Sequence, residues 1–278
     1  MTEPTLNPES GFRRLRVDLA YDGTNYAGWA KQPDQRTVQE EIESAISRVV
    51  RNKSETIVAG RTDAGVHATH QIIHVDVPDA ELEIENFAYR LNRILDQDIR
   101  INQVVEAPEN FHARFSAIKR HYIYKILDGG RQLPPLNRFD VAPWFRDLDV
   151  EALNLASAQM LGQRDFAAFC KFREGSTTIR DLQEFHWTRD EDGYLRAKLS
   201  ADAFCYSMVR NLVGAAVCVG EGRFPQEWME EMLANKTRIS ESYVFPSKGL
   251  TLTQVDYPPD DQLLDRIAMT LGRRDSDE

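Results

Sequence analysis

Three features are scarce in this sequence of 278 residues, and each absence excludes a class of protein. Only three cysteines occur, Cys170, Cys205 and Cys218, and their wide spacing offers no CxxC metal site and predicts reduced thiols. No run approaches the roughly 18 uninterrupted apolar residues of a membrane span. The N-terminus lacks the basic and apolar regions of a secretory signal, so we expect a cytoplasmic protein without membrane attachment.

Excess positive charge is also absent, since the net charge is −10. This balance excludes a uniformly basic coat for nucleic acid, because phosphate binding needs positive charge at the contact. The charges are unevenly distributed, however. Asp76 to Glu109 holds nine acids, whereas Phe111 to Lys125 holds four cations and no acid. The second stretch is compatible with a local basic face.

Hydrophobic periodicity predicts an α+β fold. In the first half the predicted order is strand, helix, strand, strand, helix, strand, which is the ferredoxin-like pattern. We expect strands at 14–21, 56–59, 71–77 and 99–105, and helices from Thr37 onward and around 84–95. Thr37 and Glu40 have the spacing of a capping box, in which each side chain bonds the other residue's backbone amide.

The second half repeats this order, which predicts two pseudo-symmetric βαββαβ halves with antiparallel sheets flanked by helices. Its strands are expected at 119–127, 184–188, 194–199 and 250–257, the middle two as a hairpin around Asp192-Gly193. Its helices are expected at 150–161, ended by Gly162, and at 207–219 and 226–234, with a short helix around 263–271. The expected organisation is a disordered leader at 1–10, halves at 11–110 and 111–260, and a C-terminal tail at 261–278. A functional cleft between two such halves would be natural.

The loop from Gly60 to His67 places an acid, an arginine and a histidine within eight residues between two predicted strands. Asp63 is a candidate nucleophile or base if a cation keeps its carboxylate ionised, and Arg61 or Arg210 could supply that cation. An aspartate in such a loop also commonly forms an Asx-turn. The residues alone leave both interpretations open.

Aromatic and basic residues occur together at the start of the second half, where Tyr122 and Tyr124 follow Lys119 and Arg120. Alternate strand positions share a face, so both tyrosines are expected beside positive charge, as base stacking and phosphate binding require. Packing in the core is the alternative. Arg210, in a nearly all-apolar helix, needs an acidic partner, whose role could be structural or catalytic.

Several motifs resemble, in order along almost the whole chain, those of the TruA-type tRNA pseudouridine synthases. The stretch that resembles the active-site signature of this family is Gly60-Arg61-Thr62-Asp63-Ala64-Gly65-Val66-His67-Ala68. The other matching motifs are Tyr21-Asp22-Gly23-Thr24, Gly28-Trp29, Gln32-Pro33, Phe111-His112-Ala113-Arg114-Phe115-Ser116-Ala117, Arg120-His121-Tyr122-Ile123-Tyr124 and Met208-Val209-Arg210-Asn211-Leu212-Val213-Gly214.

The resemblance implies an isomerase that converts uridine to pseudouridine at positions 38 to 40 of tRNA, on the 3′ side of the anticodon stem-loop. It implies that Asp63 is the catalytic nucleophile and that Arg61, Tyr122 and Arg210 bind substrate. In this scheme Arg61 holds the flipped nucleotide, Tyr122 stacks on the target base and Arg210 pairs with Asp63. A homodimer is implied as well. Attack at the ribose C1′ and a route through a glycal both stay open.

No metal or organic cofactor is implied by the resemblance. His67, His70 and His74 have spacings of three and four, but on a loop and a strand they would not share a face. We therefore expect no zinc site.

The main alternative is a non-catalytic RNA-binding protein of RRM-like topology, for which Asp63 would be dispensable. A hydrolase with paired carboxylates is another, but no second acid accompanies Asp63 in a matching motif. Two stretches depart from the family pattern, 169–173 and 238–250. The second, which includes the loop at 240–247, leaves the local RNA contacts and the choice of tRNA undetermined.

Overall fold

The computed structural model describes residues 5–79, 83–171, 177–235 and 244–272. The chain forms two compact units. The first unit comprises Met1–Ile118 and Leu252–Arg273, and the second comprises Lys119–Thr251 and Arg274–Glu278. The first junction follows Ile118, where the expected halves met after residue 110, and Leu252–Arg273 belongs to the first unit.

The segment just before Lys119 is bonded to the first unit, which explains the position of the junction. Arg14 donates to the carbonyl of Phe111 at 3.0 Å, and the amide of Ala113 donates to Nδ1 of His74 at 2.9 Å. The hydroxyl of Tyr257 donates to the carbonyl of Ala113 at 2.7 Å. These bonds join residues distant in sequence, so the predicted order of elements could not reveal them.

The first unit has the predicted βαββαβ order. Its elements are β1 (Phe12–Tyr21), α1 (Val38–Val50), β2 (Thr56–Val58), β3 (His67–Pro78), α2 (Ile84–Asn92) and β4 (Ile99–Glu106). The strand order is β4-β1-β3 with β2 paired to β3, and the β1–β3, β1–β4 and β2–β3 pairs are antiparallel. This is the ferredoxin-like arrangement expected from the sequence. Helix α6 (Leu263–Leu271) belongs to the same unit and lies where a short helix was predicted.

The core of the first unit follows the predicted periodicities. Leu15, Val17 and Leu19 alternate along β1 and are fully buried. Helix α1 contributes its predicted apolar stripe, whose members are all buried: Val38, Ile42, Ala45, Ile46 and Val49. Burial of such side chains is the main stabilising contribution, at about 1.5–3 kcal/mol for each large one.

The predicted capping box of α1 is wrong. Thr37 is the N-cap residue, but its hydroxyl makes no capping hydrogen bond within the described part of the chain. Backbone carbonyls bond the first helical amides instead: Val38 donates to Gly28 at 3.2 Å, and Gln39 donates to Trp29 at 3.0 Å. The first amides of a helix have no acceptor within the helix itself. Here the segment that precedes α1 supplies the acceptors, and the same segment also contacts the loop of Asp63.

The second unit contains an antiparallel sheet in the order β5-β9-β8-β7, with the two-residue β6 pairing parallel to β5. Its elements are β5 (Lys119–Leu127), β6 (Ala142–Pro143), α3 (Val150–Ala158), β7 (Gly162–Asp165), β8 (Ile179–Arg189), β9 (Leu195–Ala201), α4 (Met208–Gly220) and α5 (Trp228–Ala234). The predicted helices and hairpin are confirmed. Strand β7 was not predicted, because Gly162 was interpreted only as a helix end.

The last strand is β10 (Leu250–Asp256), and it is predicted correctly to within a residue. Leu250, Leu252 and Val255 are the buried positions of β10. The described residues contain no helix long and apolar enough to cross a membrane. Residues 238–243, within the stretch that departs from the family pattern, lie outside the described residues, as do Phe172 and Arg173.

Residues 5–10 of the leader expected at 1–10 lie in the described part of the chain and are bonded to the rest of the first unit. The guanidinium of Arg14 donates to the carbonyl of Leu6 at 2.6 Å and to that of Thr5 at 3.2 Å. Asn7 donates to the side chain of Asn110 at 3.1 Å. A buried arginine next to this segment supplies the bonds that composition alone did not indicate.

The prediction that the cysteines are reduced is wrong for two of them. Cys170 and Cys205, 35 positions apart in sequence, form a disulfide with Cα atoms 5.8 Å apart. The amide of Lys171 donates to the carbonyl of Tyr206 at 3.0 Å, so the two neighbouring segments run side by side. Sequence spacing could not show this contact. Cys218 is a buried free thiol, as predicted.

Candidate active site

The loop that carries Asp63 connects β2 to β3 and is closed by backbone hydrogen bonds at both ends. The amide of Ala59 donates to Ile72 at 2.9 Å, which continues the pairing of the flanking strands into the loop. The amide of Val66 donates to the carbonyl of Asp63 at 3.1 Å, which forms a turn. The strands therefore fix the loop's entry and exit.

A second segment of the first unit, residues 22–29, packs against this loop, and we call it the clasp segment. Its bonds are backbone to backbone: Trp29 donates to the carbonyl of Thr62 at 3.0 Å, and Gly65 donates to the carbonyl of Tyr26 at 3.3 Å. The loop thus contacts ordered backbone on either side of Asp63. A nucleophile needs this kind of support, because catalysis depends on the placement of the reacting group.

Two glycines of the clasp segment are required by this close approach. A Cβ atom at Gly23 would lie 2.0 Å from the carbonyl oxygen of Val66. A Cβ at Gly28, whose φ is +104°, would lie 3.0 to 3.2 Å from backbone atoms of Thr62, Asp63 and Ala64. Only glycine fits two such positions without moving the loop. The resemblance singled out both glycines, but nothing in their local sequence predicted that they contact this loop.

Asp63 and Arg61 differ in exposure. Asp63 is half-buried, whereas Arg61 is exposed. The expectation that Arg61 or Arg210 keeps Asp63 ionised stays a prediction. An exposed guanidinium on a structured loop is nevertheless suited to bind a phosphate group of a nucleic acid.

The histidines of this region have separate partners. Nδ1 of His67 lies 3.1 Å from the amide nitrogen of Gly23 and 3.1 Å from Oδ1 of Asp22. Nδ1 of His74 accepts from Ala113, and burial lowers the pKa of His74 to about 2. His70 pairs with Asp18 at 3.1 Å. No group of three or more residues that could hold a metal occurs in the described part of the chain.

Tyr122 lies on β5 in the second unit, opposite Leu199 of β9. Its side chain is 8 % exposed and packs edge-on against Phe204, with ring centroids 5.2 Å apart. Tyr124 lies two positions later on the same side of the strand, as predicted, but is fully buried. Its hydroxyl donates to the carbonyl of Pro246 and its ring packs against Phe245. Both tyrosines are buried, Tyr124 completely and Tyr122 nearly so.

Arg210 lies on α4 in the second unit and is half-buried. Its Nε donates to the carbonyl of Phe245 at 2.7 Å, and the amide of Phe245 donates back to the carbonyl of Arg210 at 3.2 Å. This reciprocal pair orients the guanidinium. Arg120, which was expected to contribute positive charge near Tyr122, is buried and donates to the carbonyl of Asp202 at 2.6 Å.

The structure therefore places the four candidate residues on two units. Arg61 and Asp63 share one loop of the first unit. Tyr122 and Arg210 belong to β5 and α4 of the second unit. Sequence reasoning missed the residues that support the loop, namely those of the clasp segment. The sequence feature that pointed to these residues was the pair of glycine-containing motifs before α1, Tyr21-Asp22-Gly23-Thr24 and Gly28-Trp29.

A family model described as tRNA pseudouridine synthase matches residues 19–116 and 156–258, which is more than half of the chain. The matched ranges include the clasp segment, the loop of Asp63 and helix α4. Together with the α+β architecture, this match defines the class of protein as a pseudouridine synthase.

Curated relatives narrow the assignment. The tRNA pseudouridine synthase A of Frankia casuarinae is 49% identical over 265 residues, covering 95% of this chain and 96% of the relative. That of Streptomyces griseus is 50% identical, covering 94% and 93%, and that of Mycobacterium leprae is 44% identical, covering 95% and 96%. The chain belongs to the tRNA pseudouridine synthase A family, and it is accordingly an enzyme, an isomerase.

A solved chain from a Cbf5-Nop10-Gar1 complex aligns with a TM-score of 0.32 and 10% identity, covering 73% of this chain and 54% of that one. This likeness is too distant to bear on the assignment. The curated relatives, which match this chain over almost their whole length, support the assignment to a pseudouridine synthase family and do not favour the non-catalytic RNA-binding alternative.

Proposed function

We propose that this enzyme isomerises uridine to pseudouridine at positions 38 to 40 of tRNA, on the 3′ side of the anticodon stem-loop, with Asp63 as the nucleophile. The observation that carries the proposal is the half-buried carboxylate of Asp63 on a loop held by the clasp segment, within a region matched by the family model.

The proposal includes a homodimer in the cytoplasm. A molar mass near 31.9 kDa by light scattering would contradict the dimer.

The reaction is an isomerisation, so it consumes no oxidant, reductant or second substrate. The bond between the ribose C1′ and N1 of the base breaks, a bond between C1′ and C5 forms, and the hydrogen of C5 is lost while N1 gains one. The target base must leave the helical stack and stay bound while it turns. Asp63 either attacks C1′ or removes a proton from the ribose to give a glycal.

The other candidate residues have roles in binding the substrate. Arg61 is exposed beside Asp63, and we propose that it holds the flipped nucleotide through its phosphate. Tyr122 supplies an aromatic ring for the target base, in a strand that also carries Lys119, Arg120 and Lys125. The carbonyl of Phe245 fixes the orientation of the Arg210 guanidinium. We propose that Arg210 therefore binds the substrate through a direct hydrogen-bonded contact rather than through long-range attraction.

The test of the proposed function is to map pseudouridine in an unmodified tRNA transcript that carries uridines at positions 38, 39 and 40. We expect product at these positions, without added metal. A transcript with cytidine at all three positions is the matched control and should give none. Product at other uridines only would contradict the proposed position, while tRNA binding without product on any substrate would favour the RNA-binding alternative.

Replacement of Tyr122 tests the stacking role. Tyr122→Phe keeps the ring and should retain turnover within about tenfold, whereas Tyr122→Ala should lose about 10²-fold, the scale of one base–aromatic stack. Both rates are measured at saturating tRNA. Tyr124→Phe is the control, since it removes a hydroxyl bonded in the core and should change stability but not turnover. Wild-type activity in both Tyr122 variants would remove this residue from the site.

A further inference from the structure

A buried pair of hydroxyl groups adjoins the loop of Asp63. The hydroxyl of Tyr21, the last residue of β1, lies 2.7 Å from Oγ1 of Thr62. The two residues are only 4% and 7% exposed. Gln71 of β3 donates from Nε2 to the Tyr21 hydroxyl at 3.3 Å and to the carbonyl of Gly60 at 2.8 Å. This network contacts the loop on both sides of Arg61.

The direction of the hydrogen bond between the two hydroxyls follows from its neighbours. The side-chain nitrogen of Gln71 can only donate, so the hydroxyl oxygen of Tyr21 accepts from it. Burial raises the pKa of Tyr21 to about 12, and the hydroxyl keeps its hydrogen at neutral pH. Tyr21 therefore donates to Thr62, which accepts.

Thr62 is consequently held at two points. Its hydroxyl accepts from Tyr21, and its carbonyl accepts from the amide of Trp29 at 3.0 Å. Asp63 is the next residue, so a rotation of the Thr62 backbone would move the carboxylate. The ring of Tyr21 also packs against Trp29, with centroids 6.0 Å apart, and this contact does not depend on the hydroxyl. Removal of the hydroxyl alone therefore separates its role from that of the ring.

We propose that Tyr21 is a positioning residue for the reaction: through Thr62, its hydroxyl orients the backbone that carries Asp63. The inference rests on the proposed function, because it takes Asp63 as the nucleophile. Tyr21 and Thr62 are both buried, so the substrate has little access to either side chain. Their loss should therefore lower the turnover number and leave the affinity for tRNA nearly unchanged.

The test compares Tyr21→Phe, Thr62→Val, Thr62→Ser and the double variant Tyr21→Phe with Thr62→Val. Tyr21→Phe and Thr62→Val should each lower kcat by about 10- to 100-fold, the cost of a misplacement near 1 Å, with KM and the Kd for tRNA within about threefold of wild type. Thr62→Ser keeps the hydroxyl and should retain kcat within about threefold. The double variant should lose no more than the worse single variant, since both remove one bond.

Tyr257→Phe is the matched control, because it deletes a tyrosine hydroxyl bonded to a backbone carbonyl in the same unit, away from the loop. It should keep the wild-type kcat. Unchanged kcat in Tyr21→Phe, losses that multiply in the double variant, or a loss in Thr62→Ser equal to that in Thr62→Val would each overturn the proposal. If Tyr21→Phe does not fold, the comparison of Thr62→Ser with Thr62→Val decides.

Wild type and Asp63→Asn are assayed in parallel to separate the two proposals. An inactive Asp63→Asn beside a fully active Tyr21→Phe would overturn the positioning role alone. An active Asp63→Asn would overturn the proposed nucleophile, and with it the reason for positioning that residue.

Discussion

Asp63→Asn is expected to lower pseudouridine formation by more than about 10³-fold, the scale at which loss of a catalytic nucleophile acts. Asparagine has the shape of aspartate but no negative charge, so it can neither attack the ribose C1′ nor take a proton from the ribose. The loop should keep its conformation, because the bonds that hold it run through the backbone of Thr62 and Gly65. Single-turnover assays with excess enzyme measure the effect on the chemical step.

Two further measurements make the result interpretable. We expect Asp63→Asn to remain folded and to bind tRNA, as measured by its melting temperature and its Kd for tRNA, so that the loss of activity lies in the chemical step. Asp79→Asn provides the control: it removes the same charge at an exposed position of the first unit and should keep full activity. Activity of Asp63→Asn within tenfold of wild type would show that another group is the nucleophile.

The sequence predicted those parts of the fold that depend on local periodicity. The start of helix α1 and both bounds of strand β5 were predicted within a residue, because the apolar stripe of the helix and the alternation of the strand are complete. The antiparallel hairpin of β8 and β9 was predicted from its turn, although β8 begins earlier than expected. Strand β7 has four residues and no apolar alternation, so periodicity carried no signal for it.

Contacts between distant segments could not be predicted in the same way. The capping box at Thr37 has the right residues, yet the carbonyls of Gly28 and Trp29 already bond the first amides of α1. The disulfide between Cys170 and Cys205 likewise depends on two segments that meet only in the folded chain. A local sequence pattern shows which bonds a residue can form, and the tertiary contacts determine which of these bonds it does form.

In the candidate site, too, the features set by local sequence patterns were predictable, and those set by contacts between distant residues were not. The loop of Asp63 was recognised because charged residues lie there between two apolar strands. That Tyr122 and Tyr124 share a face was also predictable from alternation, but the assignment of Tyr124 to the core required the positions of Phe245 and Pro246. The hydrogen bond from Tyr21 to Thr62 joins residues 41 positions apart, and no spacing rule indicates it.

Gly23→Ala should damage both the stability and the activity of the enzyme. The added Cβ would lie 2.0 Å from the carbonyl oxygen of Val66 and 2.6 Å from its carbon, and both are backbone atoms that no side-chain rotation can move away. The clasp segment or the loop must shift. We expect the free energy of unfolding to fall by about 3 kcal/mol, the upper range for overpacking a tight contact. A shift of Asp63 by about 1 Å should also lower kcat by about 10²-fold.

Gly60→Ala is the matched control for stability, because it introduces the same methyl group into the loop where no atom lies within 4 Å of the new Cβ. Its free energy of unfolding should stay within about 0.5 kcal/mol of wild type. Urea denaturation measures stability for both variants, and single-turnover assays measure kcat for Gly23→Ala. Wild-type stability in Gly23→Ala would contradict the close packing of the clasp segment on the loop. Reduced stability with unchanged kcat would mean that the clasp segment supports the fold but does not determine the position of Asp63.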